Sequence, residues 1–180
     1  MDTVTYPEGK VAEFLNREFV PARVNVKETD EAIGLFKPTW TPTLLCLDPE
    51  GGVHYRTVGF VPPDEFVPEF LVARGLAAFN QGQYVAAREH FARVLREAPQ
   101  SVHAPPAQYW HAVAEYKQSG SRDALLAGWK KIKERYPDSY WARKLPIVSG
   151  MLLASTIILA NYVPADNNAL VIVIMSIAFF

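Results

Sequence analysis

Few side chains of this sequence have the type and spacing that a catalytic, redox or metal-binding site requires. Cys46 is the one cysteine among 180 residues, so the chain forms neither an intramolecular disulfide nor a CxxC redox pair. Its apolar surroundings, the run LLCL, predict a buried small side chain rather than a reactive thiol. The histidines lack the HExxH pattern and the paired-ligand spacing of metal sites; they are His54, His90, His103 and His111. We therefore expect no metal, no cofactor and no catalytic residue in this chain.

The charge of the chain is balanced overall but unevenly distributed. The 18 Lys and Arg residues oppose 19 Asp and Glu residues, and the net charge of −1 argues against a nucleic-acid partner. Residues 1–70 contain 12 acidic and 6 basic residues, whereas residues 71–145 contain 6 acidic and 12 basic residues. Residues 146–180 carry one charged side chain, Asp166. Three blocks of different character predict three structural units with these boundaries.

The first block alternates between helical and strand patterns. The tetrapeptide PEGG at 49–52 predicts a turn that joins two strands into an antiparallel hairpin. The order of the elements predicts an α/β arrangement with a mixed sheet. The spacing of apolar residues predicts helices at 11–19, at 29–37 and from about Pro63, and strands at 19–26, 41–48 and 53–60.

Two segments of this block carry a resemblance. WTPTLLCLDPEGG followed by VHYRTVGFVPPDEF resembles the carboxyl-terminal half of a thioredoxin-like domain, and FLNREFVPARVNV is similar to its second core strand and lead-in helix. The resemblance covers roughly residues 1–72 and implies an α/β thioredoxin-like fold. It also implies a cis Thr41–Pro42 bond, with Trp40, Thr41 and Pro42 facing a bound peptide. The structural alternative is that the same residues form only a turn that starts a strand.

The resemblance also implies that this domain is incomplete. The first core strand and the WCxxC motif of the family belong upstream of Met1, so Met1 is expected to be an internal methionine of a longer domain. Without that strand, segment 19–26 has no neighbour and strand 42–48 has an unpaired edge. The chain is therefore expected to be redox-inactive, although its full-length relative would be a thiol–disulfide oxidoreductase.

Residues 71–145 resemble tetratricopeptide (TPR) repeats, which are pairs of antiparallel helices. Small residues would let the two helices approach closely, while aromatic residues fill the seam between them. The first unit carries the signature Gly75, Ala78, Gly82, Tyr84, Ala87, Phe91 and Pro99. A second unit keeps Tyr109, Tyr116, Trp129, Ile132 and Pro137, with QSGS at 118–121 absorbing its extra length. The resemblance implies two all-α hairpins that bind a protein or peptide partner.

The last block predicts a hydrophobic, transmembrane-type helical tail. Residues 147–163 would span about 25 Å as a helix, against a hydrocarbon core of about 30 Å. SGMLLASTIILANYV followed by MSIAFF resembles a helical hairpin of major facilitator transporters, particularly sugar-acid permeases. The basic residues that precede it predict that residues 1–145 lie on the cytoplasmic side of a membrane. They are Lys130, Lys131, Lys133, Arg135, Arg143 and Lys144.

The function predicted from these features is protein–protein interaction through the TPR hairpins, without redox catalysis. Two alternatives stay open at this point. In the first, the chain is a fragment of a thioredoxin-family thiol–disulfide oxidoreductase whose CxxC motif lies upstream. In the second, it is a chimeric fragment that carries part of a membrane transporter. If the tail is not native to the protein, the chain is expected to be cytoplasmic and soluble.

Overall fold

The structure, a computed structural model, describes residues 1–25, 28 and 30–145. The chain divides into two compact units, Met1–Lys130 and Lys131–Phe180. Along the described residues the elements follow in the order α1 (Gly9–Glu18), α2 (Asp30–Phe36), β1 (Thr43–Leu47), β2 (Val53–Val58), α3 (Pro63–Asn80), α4 (Tyr84–Glu97), α5 (Ala104–Ser119) and α6 (Arg122–Arg135).

Helix α1 packs on α3 through one apolar face. Val11 and Phe14 are both buried and lie three residues apart, which places them on the same side of the helix. At the last residue of α1, Glu18 forms ion pairs with Arg74 of α3 and Arg93 of α4. The helix is therefore attached both by apolar packing and by a partly buried carboxylate.

Strands β1 and β2 form a two-stranded antiparallel sheet in which Cys46 lies opposite Tyr55. The turn between them is closed by Asp48, whose Oδ1 accepts a hydrogen bond from the Gly52 backbone N–H at 2.6 Å. One face of this hairpin lies on α3, where the Tyr55 ring meets the Phe70 ring edge-on at a centroid distance of 6.4 Å. The hairpin and the helices α1, α3, α4 and α5 thereby share one hydrophobic core.

The prediction of an incomplete thioredoxin-like α/β domain with a mixed sheet in residues 1–70 is wrong. Among the described residues the sheet has two strands, and the other regular elements are helices. The strand predicted at 19–26 is absent from its described part, because residues 20–25 are exposed and pair with no strand. An extended segment is stable as a strand only when a neighbour satisfies its backbone N–H and C=O groups. The described chain is mostly helical, with one small sheet.

Helices α3, α4 and α5 pack against one another in chain order. Helix α3 begins with Pro63 at its first position, where a missing N–H costs nothing, and it is buried on several sides. Helix α4 is amphipathic and buries Ala87, Phe91 and Val94, which recur at spacings of four and three residues. The apolar face of α4 is thus long enough to contact both of its neighbours.

A glycine turn separates α5 from α6. Gly120 follows the last residue of α5 in the left-handed conformation, at φ 71°, and its N–H donates to the Tyr116 carbonyl oxygen at 2.7 Å. Helix α6 begins two residues later, at Arg122. Of the residues QSGS at 118–121, which are predicted to absorb the extra length of the second repeat, the first two end α5 and the last two connect it to α6.

The second unit is described from Lys131 to Leu145. Ile132 is fully buried, and the Lys144 ammonium lies 5.2 Å from the Tyr140 ring centroid and 5.7 Å from that of Trp141. Within the described residues no helix is both long and apolar enough to cross a membrane. The transmembrane-type tail predicted at 146–180 lies outside the described residues.

Candidate functional site

The first repeat seam lies between α3 and α4, and a glycine sets its width. A Cβ atom on Gly75 would overlap the Phe91 ring and would lie 2.7 Å from its Cζ atom, so no larger residue fits without displacing the ring. Ala78, Ala87 and Phe91 are all buried in the same core. The structure therefore brings four of the predicted repeat residues together in the way that their sizes predict.

Two further predicted residues lie where the turn after α3 leads into α4. Gly82 has φ 76°, a conformation that residues with a Cβ rarely adopt, so glycine is required there. The Tyr84 ring meets the Phe79 ring edge-on at a centroid distance of 5.3 Å. Pro99 lies two residues after the end of α4 and is exposed. Gly82 and Pro99 therefore shape the ends of the helices, whereas Tyr84 of α4 packs on Phe79 of α3 across the seam.

The second seam, between α5 and α6, is built from two small residues. A Cβ atom on Gly128 would overlap the Cβ atom of Ala112, and both residues are buried. They lie 37 residues after Phe91 and Gly75, so the large residue of the first seam is replaced here by glycine. The two backbones therefore approach each other closely at this point.

A row of aromatic rings connects the first hairpin with the second. The Phe79 ring lies 5.2 Å from the Trp110 ring, and Trp110 meets Tyr109 edge-on at 5.5 Å. The Tyr109 ring in turn stacks on the Trp129 ring at 5.7 Å, with an angle of 5° between the planes. Such ring pairs stabilise a helix stack beyond the area they bury. These aromatic residues thus join consecutive repeats.

An open depression of about 530 Å³ lies beside the first hairpin turn. One wall carries Val85, which is 55% exposed, and Glu89 and Lys117 place opposite charges at its sides. The Arg88 guanidinium donates to the Gln118 side chain at 3.1 Å and links α4 to the end of α5. The residues that line the depression are Gly82, Gln83, Tyr84, Val85, Ala86, Glu89, Lys117 and Gln118.

The residues predicted to face a peptide lie in the loop before β1. The Thr41–Pro42 peptide bond is cis, as the resemblance implies. Trp40 is 71% exposed, and its carbonyl oxygen accepts a hydrogen bond from the Thr43 hydroxyl at 2.6 Å. Trp40 and Thr41 line a second depression, of about 270 Å³, together with Ile33, Pro38 and Thr39.

A buried cluster of titratable side chains joins β2, α3 and the α4–α5 connection. Glu69, which is 5% exposed, accepts a hydrogen bond from the Tyr55 hydroxyl at 2.9 Å. His103 Nε2 lies 3.7 Å from Glu69 Oε2 and 3.9 Å from Glu65 Oε2, and the Ser101 hydroxyl donates to Glu65. Burial lowers the pKa of His103, although both carboxylates oppose this effect. Burial, reinforced by Glu69, raises the pKa of Tyr55, so this hydroxyl keeps its proton.

A histidine and an aspartate also pair at the hairpin turn. His54 Nε2 lies 2.8 Å from Asp48 Oδ2, and the Asn80 amide lies 3.3 Å from the other ring nitrogen. The hydrogen bond from His54, together with that from Gly52, lowers the pKa of Asp48. Because both ring nitrogens of His54 have partners, this pair connects the turn to the end of α3 instead of offering a base to a substrate.

The burial of Cys46 and the placement of the possible metal ligands bear on the redox and metal-site readings. Cys46 is buried in β1, and burial raises the pKa of its thiol, so the prediction of a small hydrophobic side chain is confirmed. Among residues 1–25, 28 and 30–145, no group of three or more His, Cys, Asp or Glu side chains is placed to hold a metal ion. A protonated, buried thiol does not support the redox alternative.

Two features of the site are not predicted from the sequence. In the second repeat Gly128 takes the position of Phe91 beside the predicted Trp129, and the 37-residue spacing from Phe91 is the signal that would have found it. The Glu69–His103 pair has no such signal, because its members are 34 residues apart and meet only through tertiary packing.

Comparison with known proteins agrees with the repeat prediction over part of the chain. A family model described as tetratricopeptide repeat matches residues 69–101, which hold α4 and most of α3. A repeat of this family suggests a protein–protein interaction role. No solved structure matches the chain significantly, which agrees with the correction made to the predicted thioredoxin-like fold.

A second likeness is short and concerns membrane transporters. The probable galactarate/D-glucarate transporters of two Escherichia coli strains are 67% identical over 39 residues, and that of Bacillus subtilis is 55% identical over 40 residues. Each match covers 22% of this chain and 8% of the transporter's own length. The likeness agrees with the predicted resemblance of a short segment, and it does not support transport by the chain.

Proposed function

We propose that this protein is an interaction module in which the helical hairpins α3–α4 and α5–α6 bind an extended segment of a partner protein. The observation that carries the proposal is the seam at Gly75 and Phe91, which builds a repeat of the matched family. Stacked repeats of this kind present extended concave surfaces, on which partner segments bind.

The depression beside the first hairpin turn is the surface we assign to the partner. Val85 offers an exposed apolar side chain, whose burial by a partner would contribute about 1.5 kcal/mol. Glu89 and Lys117 lie on different helices of the same depression, so they would orient a segment that carries both charges. Specificity would then come from the charges and affinity from the apolar contact.

The proposal is tested by selecting peptides that bind the full chain from a displayed library of random peptides. Enriched peptides are labelled, and their dissociation constants are measured by fluorescence anisotropy. Val85→Asp is expected to weaken binding at least about tenfold, because it removes about 1.4 kcal/mol or more of contact energy. Leu126→Asp is the matched control, since Leu126 is 59% exposed on α6 and lies outside the depression.

Two results would contradict this proposal. One is a selection that yields no enriched peptide on the wild-type chain. The other is a set of peptides that bind the Val85→Asp and Leu126→Asp variants with equal affinity, which would place the binding surface elsewhere.

The loop formed by Trp40, Thr41 and Pro42 is a second proposed contact for the partner. Its support is the exposed Trp40 side chain beside a depression of about 270 Å³. Tryptophan is enriched among residues that dominate binding energy, because its large rigid surface loses little entropy on contact. In the same anisotropy assay, Trp40→Ala is expected to raise the dissociation constant of peptides that are long enough to contact both depressions.

The division of the chain into residues 1–70, 71–145 and 146–180 stays a prediction from composition and pattern. So does membrane attachment through residues 146–180, with residues 1–145 on the cytoplasmic side. The interaction role is assigned to the second of these segments.

A further inference from the structure

The described part of the second unit concentrates positive charge. Residues 131–145 hold five basic and two acidic side chains, although the whole chain carries a net charge of −1. The basic side chains are all exposed; they are Lys131, Lys133, Arg135, Arg143 and Lys144. This segment therefore presents a positive surface on a chain that is otherwise acidic.

The helical residues 140–145 have a buried side and an exposed side. The Ser139 hydroxyl caps the start of this helix, since it accepts a hydrogen bond from the Ala142 N–H at 3.1 Å. Ala142 and Leu145 are buried and lie three residues apart, which places them on one side. Tyr140 is 60% exposed and lies four residues before the exposed Lys144, so these two side chains share the opposite side. We define the outward face as the exposed residues Tyr140, Arg143 and Lys144.

The cations of the outward face are not neutralised within the described part of the chain. The Lys144 ammonium lies 5.2 Å from the centroid of the Tyr140 ring and 5.7 Å from that of the Trp141 ring. Among the described residues, neither Arg143 nor Lys144 forms an ion pair with a carboxylate. Both cations therefore remain available to an anion outside the chain.

The aromatic rings of this segment indicate which kind of anion fits. Tyrosine and tryptophan are enriched at membrane–water interfaces, because each combines an apolar ring with a polar group. Lysine and arginine extend apolar stems along such a boundary and keep their charges in the polar layer. The sequence that follows Leu145 carries no charged residue before Asp166. This combination of cations, rings and adjacent apolar sequence favours a lipid surface over an acidic peptide or a nucleic acid.

We propose that the outward face binds the phosphate headgroups of an anionic phospholipid surface. Arg143 presents a planar guanidinium, which can donate two parallel hydrogen bonds to phosphate oxygens, and Lys144 presents a compact ammonium. The Tyr140 ring enters the headgroup layer beside them. The two depressions of the first unit are lined by other residues, so the ligand of the outward face is an extended surface. This contact is made to headgroups and does not require residues 146–180 to enter the bilayer.

Vesicle flotation of the full chain tests this contact. Partitioning is measured into neutral vesicles of phosphatidylcholine and into vesicles that also contain the anionic lipid phosphatidylglycerol. The wild-type chain is expected to prefer the anionic vesicles at least about tenfold, and added salt is expected to reduce this preference. The ratio between the two vesicle types removes any contribution that residues 146–180 make equally to both. No peptide is present, so the outcome is independent of the proposed peptide binding.

Charge reversal locates the surface on the chain. Arg143→Glu combined with Lys144→Glu is expected to lower the preference for anionic vesicles at least about fivefold. Lys10→Glu combined with Arg122→Glu is the matched control, because it changes the net charge equally at two exposed positions outside the second unit. It is expected to keep the wild-type preference. Equal partitioning of the wild-type chain into both vesicle types, or the same preference in both double variants, would overturn the proposal.

The Tyr140 ring distinguishes a lipid surface from a soluble polyanion. Tyr140→Ser is expected to lower partitioning into the anionic vesicles about threefold, whereas Tyr140→Trp is expected to retain it, because burial of the ring adds to headgroup binding. Binding of labelled polyglutamate is measured in parallel, and Tyr140→Ser is expected to leave it unchanged. Wild-type partitioning of the Tyr140→Ser chain would show that the outward face responds to charge alone, and the assignment to lipid would then be wrong.

Discussion

At the residue scale, Gly75 sets how closely α3 approaches α4. Gly75→Ala is expected to lower the free energy of unfolding by about 1–2 kcal/mol, because the new methyl group overlaps the Phe91 ring and this cost exceeds the gain in helix propensity. Gly34→Ala is the matched control, since no atom lies within 4 Å of the added Cβ in α2. It is expected to be neutral or stabilising by up to about 1 kcal/mol. Urea titration measures the unfolding free energy of both variants, and equal changes would contradict a close approach of α3 and α4 at Gly75.

A second residue-scale prediction concerns the pH dependence of His103. Because burial lowers the pKa of this ring in the folded chain, the unfolded chain binds more protons as the pH falls below about 6.5. The wild-type protein should therefore lose stability between pH 7.5 and pH 5. His103→Gln is expected to reduce this slope, as measured by thermal unfolding at a series of pH values, and the slope that remains is expected from His90, whose pKa burial also lowers. A variant with the wild-type slope would show that His103 does not titrate in this range.

At the element scale, one carboxylate contributes to the attachment of α1, beside the apolar packing of Val11 and Phe14. Glu18 pairs with Arg74 and Arg93, whose side chains are 30% and 24% exposed. Glu18→Gln removes the carboxylate that pairs with the partly buried Arg74 guanidinium and leaves Arg93 paired with Glu97, and we expect a loss of about 1–2 kcal/mol in unfolding free energy. Glu13→Gln on the same helix is the control, because its pair with Arg17 is exposed and contributes about 0.5 kcal/mol or less. Similar losses in urea titrations would contradict a special role of Glu18.

Local pattern predicts most of the elements correctly. The helices predicted at 11–19 and 29–37 form at Gly9–Glu18 and Asp30–Phe36, and the predicted hairpin forms at β1 and β2. Periodicity succeeds in these cases because the backbone N–H and C=O groups of each helix pair within the helix, and those of the two hairpin strands pair with each other. The strand predicted at 19–26 fails for the opposite reason, since its partner is not present among the described residues.

At the scale of the whole molecule, α1, the hairpin and the first three repeat helices share one core within Met1–Lys130. Phe70 is 4% exposed and stacks on Phe66 at 4.6 Å near the middle of this core. Phe70→Ala is expected to cost about 3–5 kcal/mol. Hydrogen exchange measured by mass spectrometry should show equal losses of protection in peptides from α1 and α5. Wild-type protection that persists in α5 would mean that the unit does not unfold cooperatively.

The sequence by itself determined the repeat seam, the glycine turns, the hairpin and the buried character of Cys46. These features depend on residue size, backbone conformation and spacing within one or two neighbouring elements, all of which are local. Only the tertiary structure decided that the sheet has two strands among the described residues and that Glu69 meets His103. Each of these depends on which distant segment supplies a hydrogen-bond partner or a packing surface. Pairing between remote segments is a property of the assembled core, and local sequence pattern does not encode it.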